Sequence, residues 1–97
     1  MKTIKHHQKW VKNAWKKSTK RIDEKDELLF LIEEIGEMAE ALRKLSGNKK
    51  NKQMKVDLEK EMGDILLSLF TLAIRHDIDL ENAFEKTKKS VIKRYMK

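Results

Sequence analysis

Carboxylates are the residues of this sequence best placed to do chemistry. Asp and Glu number 16 in 97 residues, and five pairs stand three positions apart: Asp23/Asp26, Glu24/Glu27, Glu34/Glu37, Glu37/Glu40 and Glu61/Asp64. At this acid content chance alone gives about 2.6 such pairs, so the count decides little and placement must decide. Asp23 to Glu27 fall at a helix start, where the positive end of the helix dipole favours negative charge. They need no further role. Glu33, Glu34, Glu37 and Glu40 instead form a stripe in mid-helix, with no basic residue at i+3 or i+4 until Arg43 and Lys44. Like charges so spaced cost about 0.2–0.5 kcal/mol per pair on an isolated helix, a cost that a chain with 23 basic residues had the means to relieve. Glu61 and Asp64 enter the most apolar segment, directly before Ile65-Leu66-Leu67, where an unpaired carboxylate is costly to desolvate. Two helices that each present Glu-x-x-acid from a bundle core can hold a cation through oxygen alone. Without His or Cys, that donor set favours Mg²⁺ or Mn²⁺ over zinc. Two solvated acidic faces on opposite sides of a bundle would give the same spacing, so spacing leaves both readings open.

The elements that must position these acids follow from periodicity. Ile4, Trp10, Val11, Ala14 and Trp15 give a weak stripe over a helix from about Ile4 to Ser18. Leu28, Leu31, Ile32, Ile35, Ala39 and Leu42 follow the i, i+3, i+4, i+7 rule for a second. Asp23 or Asp26 can cap its start and Ser46-Gly47-Asn48 can stop it. The polar run Asn48–Lys52 reads as a loop. A third helix is expected from about Met54 to His76, apolar nearly all round between Ile65 and Ile74 and so buried on several sides. Asp77-Ile78-Asp79 breaks the pattern, and Asp79 can cap a fourth helix carrying Leu80, Ala83, Phe84, Val91 and Tyr95. The expected fold class is therefore all-α, an antiparallel four-helix bundle, in one domain spanning residues 1–97 without internal repeat. A chain this short buries only about 60–65% of its unfolded surface. The surplus apolar surface of helices two and three should then lie in a subunit interface, which makes the chain part of a dimer or a dimer of dimers.

Composition excludes several function classes. With no Cys, there is no disulfide scaffold, zinc–thiolate site or thiol catalysis. The longest strictly apolar run, Leu28–Ile32, is far short of the ~18 residues of a membrane span. Residues 1–22 are studded with Lys and lack an apolar block, so no secretory leader is expected and a cytoplasmic location is the simplest assumption. The net charge of +7 is not spread evenly. Consecutive blocks at 1–22, 23–46, 47–60, 61–85 and 86–97 carry +8, −5, +3, −5 and +6.

At the two acidic motifs the sequence resembles a known family. Leu31-Ile32-Glu33-Glu34-Ile35-Gly36-Glu37-Met38-Ala39-Glu40-Ala41-Leu42 is similar to the first motif of the MazG-like nucleotide pyrophosphohydrolases, and Leu58-Glu59-Lys60-Glu61-Met62-Gly63-Asp64-Ile65-Leu66 to the second. His76-Asp77-Ile78-Asp79-Leu80-Glu81-Asn82-Ala83-Phe84 resembles the turn and fourth-helix start of the same family. The resemblance spans roughly residues 10–95. It implies an all-α fold, a dimer or dimer of dimers, and Mg²⁺-dependent cleavage of a nucleoside triphosphate into monophosphate and pyrophosphate. The metal ligands it implies are Glu34, Glu37, Glu61 and Asp64, with Glu33 in or beside the ligand set. Glu33, Glu34 and Glu37 are the candidate catalytic carboxylates, and Glu34 or Glu37 can orient the attacking water. A triphosphate carries about four negative charges and can meet such a site only through bridging divalent cations. Two departures stand out. Lys60 occupies a position where relatives often have a second acid, which implies fewer ions or a weaker hold on one. Thr87 and Val91 stand where many relatives have Lys and Asn, although Arg94-Tyr95 match.

The basic terminal segments gain a purpose from this resemblance. Lys86, Lys88, Lys93 and Arg94 can neutralise the outer phosphates. Trp10 and Trp15 are candidate base-stacking residues, because an N-terminal aromatic stacks on the base in pyrimidine-hydrolysing relatives. They stand about 140° apart around a helix and cannot form one platform, and core or interface packing competes as the role of each. His6 and His7 point to different faces, unlike a metal-binding i, i+4 pair, and His76 fits a helix cap. Lys49–Lys55 is either a solvated connection or a gate for the nucleotide. The pI of 9.6 raises a nucleic-acid-binding protein as a competing function, but no recognised DNA- or RNA-binding motif accompanies it and no nucleic-acid partner is expected. Two further functions compete: a helical interaction module that has lost catalysis, and a phosphoribosyl-ATP pyrophosphohydrolase with the same fold and acids.

Overall fold

The computed structural model describes residues 2–18, 23–45 and 52–96. These form four α-helices and, among the described residues, no strand: α1 Ile4–Lys17, α2 Glu24–Leu45, α3 Lys52–Arg75 and α4 Leu80–Tyr95. The all-α class expected from periodicity is what the chain adopts. Helix α3 starts at Lys52, two residues before the expected Met54. The Ser46-Gly47-Asn48 stop and the loop residues 48–51 lie outside the described residues.

Helix ends are fixed by polar side chains. Asp23, rather than Asp26, caps α2, its Oδ1 accepting from the Lys25 amide at 2.8 Å. Asp79 caps α4 as expected, accepting from the amides of Glu81 and Asn82 at 3.0 and 3.3 Å. Thr3, which periodicity does not single out, caps α1 by accepting from the His6 amide at 3.1 Å. Each such bond satisfies an amide that the first helical turn leaves without a partner.

The described residues fall into two compact units, Met1–Thr19 with Phe70–Lys97, and Lys20–Leu69. In the first, α1 packs on α4, with Val11, Phe70 and Ala73 buried. Gln8 reaches the connection after α3, donating from Nε2 to the Ile78 carbonyl at 2.7 Å and accepting the Leu80 amide on Oε1 at 3.0 Å. Trp15 is half-buried and its indole N–H donates to the buried Thr71 hydroxyl at 2.8 Å.

The second unit contains α2 and the start of α3, and its apolar surface is largely uncovered by the chain itself. Leu31 is buried, but Leu28, Leu29, Phe30, Ile32 and Ile35 are exposed on α2, and Met62, Leu66, Leu67 and Leu69 on α3. The all-round burial expected between Ile65 and Ile74 is therefore met in a single chain only at Phe70, Thr71 and Ala73, with Ile65, Leu72 and Ile74 half-buried.

Helix α3 ends in a Schellman turn. The Ile78 amide bonds the Ala73 carbonyl at 2.9 Å and the Asp77 amide bonds the Ile74 carbonyl at 3.3 Å. That 6→1 and 5→2 pattern places Asp77 at the residue that must turn left-handed, and its φ is 53°. Asp is tolerated there better than most residues with a Cβ, but glycine is the residue without the steric cost. We therefore expect Asp77→Gly to stabilise the protein by about 0.5–1 kcal/mol, the left-handed strain and the unfavourable charge at a helix C-terminus outweighing glycine's extra unfolded-state freedom. Urea unfolding with an unchanged m-value checks this, and lower stability of the variant would show that Asp77 carries a compensating interaction.

Candidate functional site

Both acidic motifs of the second unit lie within regular helix, so the backbone fixes where their carboxylates emerge. Glu34 on α2 and Glu61 and Asp64 on α3 each contribute one carboxylate oxygen to a group whose members lie within 4.8 Å of one another. Glu61 and Asp64 share a face because three residues turn a helix by about 300°. All three side chains are half-buried. The Oε2 atoms of Glu34 and Glu61 are fully buried and meet no hydrogen-bond donor among the described residues. Buried polar atoms in native proteins are rarely left so, and each such atom calls for an explanation.

Charge crowding shows in the ionisation of Glu61. Its pKa is pushed up to about 7, first by a hydrogen bond shared with Glu34, then by loss of hydration and by the negative charges of Glu34 and Glu37. Glu37 is exposed and stands near enough to Glu61 to act on its charge, but it does not join the three-oxygen group. Glu33 is exposed and also outside that group. Of the carboxylates proposed from the sequence, Glu34, Glu61 and Asp64 are thus brought together, Glu37 flanks them, and Glu33 stands apart. On the outer side of α3, the Lys60 ammonium lies 3.4 Å from Asp64 Oδ2.

Three carboxylates at this separation match the requirements of a hard divalent cation. Such ions take oxygen ligands, and one would give the two buried oxygens a partner. Glu34, Glu61 and Asp64 are the residues that could hold such an ion. Without it, a proton kept on Glu61 relieves the same crowding.

The residues proposed to meet the nucleotide belong to the first unit. Lys86, Lys88, Lys93 and Arg94 are exposed on α4. Lys88 pairs with Glu85 at 3.1 Å, and Arg94 donates to the Ser90 hydroxyl at 3.4 Å. The Thr87 hydroxyl is directed back to the Ala83 carbonyl of its own helix at 3.2 Å, and Val91 is exposed. Trp10 is 64% exposed, while Trp15 is engaged with Thr71. The two tryptophans therefore have different surroundings, and Trp10 is the one whose ring is available. His6 and His7 are exposed, their rings edge to face. Sequence reasoning passes over a basic face of α1: Lys5, Lys9, Lys12 and Lys16 line an open groove of about 440 Å³ beside Asp77. The i, i+4, i+7, i+11 spacing of those lysines is the signal that could have found it.

With this geometry in place, comparison with known families assigns the class. The MazG nucleotide pyrophosphohydrolase domain matches residues 23–97. The chain belongs to that family, and is accordingly a hydrolase of phosphoric anhydride bonds in nucleotides. No curated protein and no solved structure matches it. Among the described residues no helix is long and apolar enough to cross a membrane.

The raised pKa of Glu61 has a consequence for stability. In the folded, metal-free protein Glu61 keeps a proton up to about pH 7, while the unfolded chain loses it near 4.5. The folded state then binds more protons across that window, so this group's contribution to stability falls as pH rises through it. Melting in EDTA between pH 4.5 and 8 should show a decline that Glu61→Gln flattens. Parallel curves for the two proteins would mean that Glu61 titrates normally. A divalent ion bound near pH 6.5 should release close to one proton, readable by calorimetry in two buffers of different ionisation enthalpy.

Proposed function

We propose that the chain is a Mg²⁺-dependent nucleoside triphosphate pyrophosphohydrolase, releasing a nucleoside monophosphate and pyrophosphate and so clearing unwanted nucleotides, with Mn²⁺ as an alternative ion. The observation that carries the reading is the convergence of Glu34, Glu61 and Asp64, from two helices, within 4.8 Å in a chain of this family. When bound, the ion supplies charge neutralisation and polarisation at a phosphoryl oxygen. Glu34, Glu61 and Asp64 hold it, and Glu37 is proposed as a further ligand because it already flanks Glu61.

The protein's own groups have separate tasks in this reading. Glu34 or Glu37 orients the attacking water, accepting its proton as the new P–O bond forms, and Glu33 assists from the outer side of the same helix. Lys86, Lys88, Lys93 and Arg94 supply the positive charge that the outer phosphate oxygens require. Trp10, with most of its ring exposed, is better suited than Trp15 to stack on a base.

The decisive assay combines hydrolysis with melting. Mg²⁺ bound only to the native site stabilises it by RT ln(1 + [Mg²⁺]/Kd), about 2.7 kcal/mol at a hundredfold excess over Kd. Glu61→Gln and Asp64→Asn should abolish pyrophosphate release and most of that stabilisation, while stability in EDTA stays unchanged or rises for Glu61→Gln. Equal Mg²⁺-induced shifts in all three proteins would remove the physical basis of the proposal.

We further propose a homodimer or a dimer of dimers. Leu28, Leu29, Phe30 and Ile32 form an apolar run exposed on α2, longer than isolated surface hydrophobics that need no explanation. Gly36 and Gly63 add to this. Each sits inside a helix, where glycine costs roughly 0.5–1 kcal/mol relative to Ala, yet, its chain neighbours and its own helix backbone aside, nothing among the described residues lies within 4 Å of where a Cβ would stand. A second copy packed close to those helices would give the glycines a use. Light scattering at micromolar concentration should report at least twice the 11.5 kDa of one chain, and a stable single-chain mass would exclude the assembly.

A further inference from the structure

A lysine touches the carboxylate group, and the charges around it do more than balance a surface. Lys60 Nζ rests 3.4 Å from Asp64 Oδ2, and the Glu61 and Glu34 charges also act on it. An i, i+4 ion pair with the acid first gains more, since that order agrees with the helix dipole. Here Lys60 precedes Asp64, the order that stabilises the helix less. Glu34, Glu61 and Asp64 bring three negative charges together when ionised, and Glu37 adds a fourth at the edge. One ammonium reduces the total to three, which a single divalent ion leaves at one and two such ions would overshoot.

We infer that Lys60 is the built-in counter-cation of the carboxylate group: it holds Asp64 from the solvent side, competes there with a divalent ion, and restricts the site to one such ion. The inference rests on reading the group as a divalent-cation site. Lys60 is a positioning and specificity residue in this account, acting on the ion through Asp64. Two cations drawn to one half-buried carboxylate repel. For a divalent ion and an ammonium at this range in water the repulsion amounts to a loss of affinity of about three- to tenfold, diminished by salt.

The test counts bound Mn²⁺ on the full chain by the loss of its free electron-paramagnetic-resonance signal, without reference to turnover. The unmodified chain should bind one ion. Lys60→Met and Lys60→Gln, which keep much of the side-chain length and lose the charge, should bind one ion about three- to tenfold more tightly, with the gain shrinking as KCl is added. Lys60→Glu should bind two. Lys60 is exposed, so the variants should fold, and their melting in EDTA confirms it. Glu61→Gln is the control for the underlying reading and should lose the ion. If the unmodified chain binds no Mn²⁺ in saturable fashion, the metal-site reading and this inference fall together. If Glu61→Gln abolishes binding while Lys60→Met and Lys60→Gln bind as the unmodified chain does, or more weakly, the site stands and the role given to Lys60 is overturned. A second ion in the unmodified chain overturns it equally.

Discussion

Mutual repulsion of Glu34, Glu61 and Asp64 is the constraint on which the chemistry of this chain depends. Their oxygens are held within 4.8 Å by two helices, and a helix backbone cannot yield to let them drift apart without breaking its own hydrogen bonds. The repulsion is therefore met by other means. A proton is retained on Glu61 to about pH 7, the Lys60 ammonium lies beside Asp64, and two buried oxygens that meet no donor among the described residues could take a cation. A stripe of acids that a helix surface would disperse becomes intelligible once the stripes of two helices face one another. What looks like poor electrostatic design along each helix brings together three carboxylate oxygens that could hold a metal ion.

Much of this is legible in the sequence because helical geometry converts spacing into direction. Leu28 to Leu42 define α2, and Glu61 and Asp64 have to share a face of α3. Asp79 has the position and chemistry of an N-cap and is one. Spacing cannot separate Glu34 from Glu33 and Glu37 as the member that joins the group. Neighbouring residues diverge by about 100° and residues three apart by about 60°, so the choice turns on the rotation of α2 about its axis. That rotation is set by packing, which periodicity leaves loose when the apolar stripe is broad, as it is from Leu28 to Ile35. The choice of Asp23 over Asp26 as cap depends likewise on one backbone turn. A half-buried Trp15 needs a partner for its indole N–H, but nothing in the sequence points to Thr71, 56 residues away.

The polar contacts of Gln8 are illegible for a different reason. A glutamine in a helix has no preferred partner, and its value here lies in offering a donor and an acceptor at once. Ile78 presents a carbonyl and Leu80 an amide between the end of one helix and the start of the next, and Gln8 bonds both. Such a bridge depends on the turn having formed, and the turn requires Asp77 to adopt a left-handed backbone. In the sequence Asp77 shows only as a break in periodicity, which gives the position of a turn and not its hand.

Helix α4 is held chiefly at its beginning, and this bears on how its basic residues can be understood. Asp79 caps it, Gln8 bonds its first amide, and the Glu81 carboxylate accepts the Lys5 amide of α1 at 3.4 Å. Beyond that first turn no residue of α4 is buried, and Val91, Ile92 and Tyr95 are exposed beside the lysines. Exposed side chains away from caps and cores contribute within about 0.5 kcal/mol of nothing to stability. Lys86, Lys88, Lys93 and Arg94 thus have little structural work within a single chain: Lys88 and Arg94 bond only as far as Glu85 and Ser90, a turn away. Lys93 and Arg94, in the last turn, face the negative end of the helix dipole, so it is Lys86 and Lys88 whose charge helix stability accounts for least. The helix is anchored where it meets the turn and carries these basic side chains exposed, so their charge is open to whatever approaches from outside the chain.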